Sequence, residues 1–426
     1  MLEDAWRIVG GRPLHGKVRP SGSKNGALPT LASTLLVDGE TVLRNVPRIA
    51  DVATMLELLR AFGLSVEEAA AGELRVVNSG LTTHRAPEEL VARMRASHYL
   101  LGPVVARLGR AELPLPGGCD IGRRPVDYIL GGLEALGVET HVQDDIIKAE
   151  ARRIRGGRVS LDPAYRSPGA TFNVVMAAVL AEGETVIENA SFEPDVVAFC
   201  RFLEAAGARI EGLGRPTLKV HGVEGLRGAK HAINVDRLEA GTFLCAAAAT
   251  RGEVIVEEVD AGDLGAVLAK MREAGVEISE VEEGLRASCR DRPRGVSLVT
   301  EPYPGFPTDL QPPMTAVLAT AAGESAIRES IFDRRLQCLE QLEKMGASVR
   351  LLGPRQAAVR GVDRLKGAEV AAHNIRDGAA LAIAALSAEG ESVVSGRQFV
   401  ARGYEGFESK LCAIGAQITT AGEEEG

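Results

Sequence analysis

The stretch Pro116-Gly117-Gly118-Cys119-Asp120-Ile121-Gly122-Arg123-Arg124-Pro125 places one thiol among three glycines and beside two arginines. Gly117, Gly118 and Gly122 free the backbone from the steric limits of other residues, so the stretch is expected to be a flexible loop. The guanidinium groups favour the thiolate, and Asp120 opposes that shift. A thiol presented in this way suits a nucleophile or a proton donor. It is equally compatible with an ordinary surface loop, and the rest of the chain must decide between them.

The elements that would position such a loop follow a repeat. A glycine opens an acidic, β-rich strand at Gly39-Glu40-Thr41-Val42-Leu43, Gly183-Glu184-Thr185-Val186-Ile187, Gly252-Glu253-Val254-Ile255-Val256, Gly323-Glu324-Ser325-Ala326-Ile327 and Gly390-Glu391-Ser392-Val393-Val394. Gly109-Arg110-Ala111-Glu112-Leu113 is a looser copy, and the anchors recur about every 70 residues, the mark of a duplicated supersecondary unit. About 25 residues after each anchor comes a second glycine, at Gly63, Gly137, Gly207, Gly275, Gly346 and Gly415, closing helical patterns such as Val197 to Ala206 and Leu336 to Met345.

A further helix precedes each anchor. Ala170 to Ala181, Ala240 to Thr250 and Ala379 to Ala388 are small, apolar and nearly free of charge on every face. A helix apolar all round belongs inside a domain. Three such helices within three sheets would make one domain, and six would make two. These helices open on Ser21 to Asn25, Met94 to Ser97, Ser167 to Thr171, Leu238 to Thr242, Pro307 to Leu310 and Ile375 to Gly378. Helix N-termini carry unpaired N–H groups and attract anions, so a cleft that collected these ends would trap an anionic ligand.

Composition narrows the function. With 426 residues the chain exceeds one ordinary core, and two domains are expected. Aromatics make up 4% and the net charge is −9, which disfavours nucleic-acid binding. Cys119, Cys200, Cys245, Cys289, Cys338 and Cys412 are scattered without a CxxC pair, and the histidines show no HExxH spacing. Neither a disulfide framework nor a metal site is expected. The first residues lack a basic-then-apolar leader pattern and no apolar run reaches a membrane span, so a cytoplasmic location without membrane contact is expected.

The sixfold repeat, the Ser21-Gly22-Ser23-Lys24-Asn25 segment and the Pro-Gly-Gly-Cys loop together resemble the enolpyruvyl transferases. The likeness runs from about Ile8 to about Ala421 and includes Met94-Arg95-Ala96-Ser97, Arg124-Pro125-Val126-Asp127, Phe306-Pro307-Thr308-Asp309 and Arg402-Gly403-Tyr404-Glu405. Cys119 favours the amino-sugar branch of peptidoglycan synthesis over the branch that acts on shikimate phosphate. The resemblance implies an α/β fold, a two-domain inside-out α/β barrel of six strand–helix repeats. One domain would span 23–234, the other 1–22 with 235–426, and the active site would lie in the cleft between them. The expected substrates are phosphoenolpyruvate and UDP-N-acetylglucosamine, joined by addition and elimination with loss of phosphate and no cofactor.

Residue by residue, the likeness implies Cys119 as general acid and fosfomycin target, and Asp309 as base. Lys24, Arg124 and Arg402 would contact phosphoenolpyruvate and phosphate, with Arg95, Arg335 and Arg376 at other cleft positions. Arginine suits such anions because its planar fork binds them through two parallel hydrogen bonds. Asn25 would meet the sugar or the tetrahedral intermediate. Pro125, Val126, Asp127, Ser167, Gly169 and Ile331 would hold the nucleotide. On residue chemistry alone Asp309 could instead cap a helix. Departures from the family pattern fall at Ile129, Tyr165, Ala198, Asn374, Phe399 and Ala401, mostly around the nucleotide pocket. Two alternatives therefore stay open: a related transferase with another hydroxyl acceptor, and a non-catalytic nucleotide-sugar-binding paralogue.

Overall fold

A computed structural model describes residues 4–69, 72–117 and 126–420. Cys119, Arg124 and Pro125 lie outside the described residues. Contacts divide the chain into two compact units. One holds described residues between 22 and 234, and the other holds residues 4–21 and 235–420.

In the second unit three helices pack on one another: Arg237–Ala249, Gln311–Leu318 and Ile375–Ser387. All thirteen residues of Arg237–Ala249 are buried, and beyond its first turn the helix carries no charge on any face. The helices approach closely: a Cβ added at Gly241 would lie 2.4 Å from Leu310 Cδ1. Three four-stranded sheets accompany them. In one, Glu253–Glu257 runs parallel to His15–Val18 and antiparallel to Gly284–Ser288, with Glu277–Val281 beyond. In another, Glu324–Arg328 lies between Leu298–Val299 and Gln356–Arg360. In the third, Ala5–Val9 is inserted between Glu391–Ser395 and Gln417–Thr420, with Trp6 opposite Val394 and Thr420. Trp6 and Phe243 each pack 6.0 Å from the Phe407 ring, and Tyr404 packs 4.8 Å from it.

The other unit holds the helices Lys24–Ser33, Leu101–Leu108 and Pro168–Ala178. Its sheets centre on Val37–Arg44, on Ile146–Glu150 and on Glu184–Glu188. Gly102 lets the second and third of these helices touch, for its N–H donates to Asn173 Oδ1 at 2.8 Å and a Cβ there would lie 2.5 Å from the Asn173 carbonyl.

The six glycines expected to follow helices all take left-handed φ, between 81° and 107°. The helix starts fall at or next to the expected openings. Arg237–Ala249 begins one residue before Leu238, and Ile375–Ser387 begins at Ile375. Both first turns contain buried charges (Arg237 and Glu239, Arg376 and Asp377), which need partners there. Met94 to Ser97 and Pro307 to Leu310 lead into short 3-10 turns, Arg95–Leu100 and Thr308–Leu310, before the α-helices begin.

Where the chain first leaves the second unit, Ser21 is held by the opening turn of Arg237–Ala249. Asp236 N–H donates to the Ser21 carbonyl at 2.9 Å, and Ser21 N–H donates to Glu239 Oε2 at 2.9 Å. Lys410 Nζ reaches Glu239 Oε1 at 2.6 Å and Ser21 Oγ at 2.5 Å. Glu239 is 1% exposed. Burial pushes its carboxyl up to about 7, although Lys410 pulls the other way.

Candidate active site

Asp309 lies in the 3-10 turn before Gln311–Leu318, where its carboxylate faces two arginines from other elements. Arg335 Nη2 donates to Oδ1 at 2.5 Å, and Arg376 Nε and Nη2 both lie 3.1 Å from Oδ2. The two arginines are 2% and 4% exposed. Buried guanidinium groups need such partners, because an unpaired charge out of water is strongly destabilising. Arg376 is the second residue of its helix, whose N-cap Asn374 accepts from the Arg376 and Asp377 N–H groups at 3.1 and 3.0 Å. The Arg376 guanidinium also lies over the Tyr404 ring, 5.0 Å from its centroid. Burial disfavours charge on Arg376, but Tyr404 and the carboxylates of Asp309 and Asp236 outweigh that, so it stays a cation. Arg335 Nε reaches the Thr308 carbonyl at 3.3 Å.

Ile331 is fixed next to this cluster by Glu329, a 1%-exposed carboxylate. Its Oε1 accepts from Ile331 N–H at 2.8 Å and Phe332 N–H at 3.0 Å, while Oε2 accepts from Thr308 Oγ1 at 3.0 Å. Asp377 is buried, and desolvation pushes it up to about 6 against the pull of Arg335 and Asn374. Arg402 is half-buried in the turn between Arg397–Val400 and Phe407–Ala413, two residues before Tyr404. The structure thus brings Asp309, Ile331, Arg335 and Arg376 together, with Arg402 on the segment that carries Tyr404.

A second group gathers in the other unit. Lys24 is the first residue of its helix, and its Nζ lies 2.6 Å from Asp51 Oδ2. Asn25 follows it, half-buried. Arg95 is half-buried, donates to the Pro116 carbonyl at 3.2 Å, and is pushed down by burial while Tyr165 opposes the shift. Gly169 lies against the same turn, since a Cβ there would be 2.9 Å from His98 Nε2. Ser167 caps the Pro168–Ala178 helix by accepting from Ala170 N–H at 3.2 Å. Val126 and Asp127 open the Asp127–Glu134 helix. Tyr128 of that helix stacks on Tyr165, 5.1 Å between ring centroids and 16° between planes, which joins the 126–128 and 165–169 segments. Cys119, Arg124 and Pro125 lie outside the described residues. Among the described residues no group of three or more His, Cys, Asp or Glu is placed to hold a metal ion. Among the described residues no helix is long and apolar enough to cross a membrane.

The family model for EPSP synthase (3-phosphoshikimate 1-carboxyvinyltransferase) matches residues 8–411. The chain belongs to the EPSP synthase family. Among its relatives, UDP-N-acetylglucosamine 1-carboxyvinyltransferase 3 of Symbiobacterium thermophilum is 46% identical over 413 residues, covering 97% of each chain. UDP-N-acetylglucosamine 1-carboxyvinyltransferase of Myxococcus xanthus is 45% identical, covering 96% of this chain and 98% of its own. The fold is that of the enolpyruvyl transferase NikO from Streptomyces tendae, with a TM-score of 0.86 at 24% identity over 97% of this chain and 98% of that one. EPSP synthase from Acinetobacter baumannii also matches, with a TM-score of 0.72 at 17% identity over 98% of this chain and 100% of that one.

Within this member of the family, several supporting residues are not evident in the sequence. Glu329 and Asp51 are single acids that no motif marks, and their partners lie 21 and 27 positions away (329 against Thr308, 51 against Lys24). Tyr404 stands in a family motif, but nothing in its spacing reveals the arginine lying over it. Of the departures from the family pattern, Asn374 keeps a capping role, Ile129 packs into the core at 6% exposure, and Tyr165 supplies one face of the tyrosine stack.

Proposed function

We propose that this chain transfers the enolpyruvyl group of phosphoenolpyruvate to the 3-hydroxyl of UDP-N-acetylglucosamine and releases phosphate, as an early cytoplasmic step of peptidoglycan synthesis. The observation that carries this reading is the near-full-length identity, 46% and 45%, to relatives of that name. The geometry supplies suitable chemistry. The Asp309 carboxylate, held by two buried guanidinium groups, would take the proton of the sugar hydroxyl as its oxygen bonds to C2 of phosphoenolpyruvate. Cys119 would deliver a proton to C3, giving a tetrahedral adduct. Loss of a methyl proton and of phosphate would then restore the double bond in the product.

Lys24, Arg124 and Arg402 would hold the phosphate and carboxylate, with Arg95, Arg335 and Arg376 completing the cationic lining and Asn25 binding the adduct. Arg376 Nη1 is buried without a hydrogen-bond partner among the described residues, a donor that a substrate oxygen would satisfy. Pro125, Val126, Asp127, Ser167, Gly169 and Ile331 would hold the nucleotide. The reading needs both groups of residues to act on one pair of substrates, in the inside-out barrel arrangement that the family resemblance implies.

Phosphate release from phosphoenolpyruvate, with and without UDP-N-acetylglucosamine, tests the proposal. Release that depends on this sugar supports it; release only with another hydroxyl compound replaces the acceptor, and tight sugar binding without release removes the catalytic role. Mass spectrometry after fosfomycin treatment should find the adduct on Cys119 and lose it in Cys119→Ser. Labelling that survives the substitution would assign the adduct to another thiol.

A further inference from the structure

One buried carboxylate ties the turn that carries Asp309 to the segment that carries Ile331. Glu329 directly follows the strand Glu324–Arg328 and is 1% exposed. A carboxylate taken out of water needs a donor on each oxygen. Here all the donors are neutral, and they come from two segments. The Ile331 and Phe332 N–H groups donate to Oε1 at 2.8 and 3.0 Å, closing a local turn. That turn is complete with one oxygen. The other, Oε2, reaches 21 positions back along the chain, where it accepts from Thr308 Oγ1 at 3.0 Å.

Both ends of this link are anchored. Glu329 N–H donates to the Arg355 carbonyl at 2.9 Å, and Ser330 N–H donates to Thr300 Oγ1 at 2.9 Å. Thr308 is held a second time, for its carbonyl accepts from Arg335 Nε at 3.3 Å, and Arg335 Nη2 donates to Asp309 Oδ1 at 2.5 Å. Glu329, Thr308, Arg335 and Asp309 are therefore one connected set. We propose that Glu329 is a positioning residue for the acceptor sugar: through Thr308 it keeps the Asp309 carboxylate in register with the Ile331 segment. The inference rests on the roles proposed above for Asp309 and Ile331. Cutting the Thr308 link leaves the Ile331 turn intact, so it should affect turnover and spare sugar affinity. Removing the carboxylate releases both segments. The role needs hydrogen-bonding geometry rather than charge. A glutamine would serve, its amide oxygen accepting from both N–H groups and its NH2 donating to Thr308 Oγ1.

Steady-state phosphate release is the test, with KM for each substrate and the Trp6 urea midpoint measured on the same preparations. Thr308→Val keeps the shape and removes the hydroxyl. Its kcat should fall roughly tenfold, the scale of one lost bond to a charged group, while both KM values stay within about twofold. Thr308→Ser, which keeps the hydroxyl, should restore the rate. Glu329→Met should lower kcat at least as far and also raise KM for UDP-N-acetylglucosamine several-fold, with KM for phosphoenolpyruvate unchanged. Glu329→Gln should stay within about threefold of the unsubstituted chain in every constant. If Glu329→Met does not fold, Thr308→Val and Glu329→Gln decide. A purely packing role would move the urea midpoint and leave kcat and both KM values in place, and that result overturns the inference. So does a Glu329→Gln variant with a kcat loss of tenfold or more, for turnover would then need the charge. An unchanged kcat in Thr308→Val, with Asp309→Asn inactive, overturns this inference alone. A near-normal rate in Asp309→Asn overturns the underlying reading of the base.

Discussion

Replacing Asp309 by asparagine tests the arginine pair independently of catalysis. The carboxylate accepts from Arg335 on one oxygen and from Arg376 on the other. An asparagine keeps one acceptor and turns the other atom into an NH2 group, so a donor faces a donor at one of two guanidinium groups that are 2% and 4% exposed. Removing one partner of a buried ion pair costs about 3–5 kcal/mol, and the 26% exposure of Asp309 places the expected loss near the lower end, at about 3 kcal/mol. The chain has a single tryptophan, Trp6, which is 1% exposed and lies in the same unit as Asp309. Its fluorescence during urea unfolding therefore reports on that unit. With a urea slope of about 3 kcal/mol per molar, the midpoint should drop by roughly 1 M. Adding Arg335→Met to Asp309→Asn removes the orphaned charge while filling much of its volume, and should recover about half of the loss. A midpoint shift below about 0.3 M, or a double variant whose loss is the plain sum of the single ones, would refute the reasoning.

Two further outcomes are expected. The Glu239 carboxyl is raised to about 7 in the folded chain, so the folded state holds its proton more tightly than the unfolded one. Its contribution is fully present below about pH 4.5 and is lost as pH rises through 7, by up to about 3 kcal/mol. Glu239→Gln should flatten the fall of the Trp6 urea midpoint between pH 5 and 8, and an unchanged slope would count against a titrating Glu239. Gly241→Ala places a methyl 2.4 Å from Leu310 Cδ1, so overpacking should lower stability by about 1–3 kcal/mol, measured in the same way. An unchanged midpoint would mean that the Leu310 segment yields freely.

Much of the interior was legible because its composition is extreme. A run such as Phe243 to Ala249 has no polar face to offer water, and the structure buries all of it. Of the polar residues expected to open these helices, Ser23 and Ser167 cap with their side chains, whereas the caps Asp236 and Asn374 lie just before the expected openings. What escaped the sequence depends on pairing over distance. Asp309 and Arg376 are 67 positions apart, and no local pattern says that one carboxylate serves both Arg376 and Arg335. The partners of the charges in the first turns at Arg237 and Ile375 stayed hidden for a related reason. A charge enters a buried first turn only when partners wait there, and those partners (Lys410 for Glu239, Asp309 for Arg376) come from remote elements.

The placement of Ala5–Val9 bears on how the molecule is made. This strand sits between Glu391–Ser395 and Gln417–Thr420, so both of its neighbours are synthesised last. At ribosomal rates of about 5–20 residues per second, it waits roughly 20–80 s for them. The unit containing residues 22–234 emerges whole during that interval and can fold first. Trp6 and Ile8 meanwhile stay unpaired, making the nascent N-terminal segment a natural client for a chaperone until the last strands arrive.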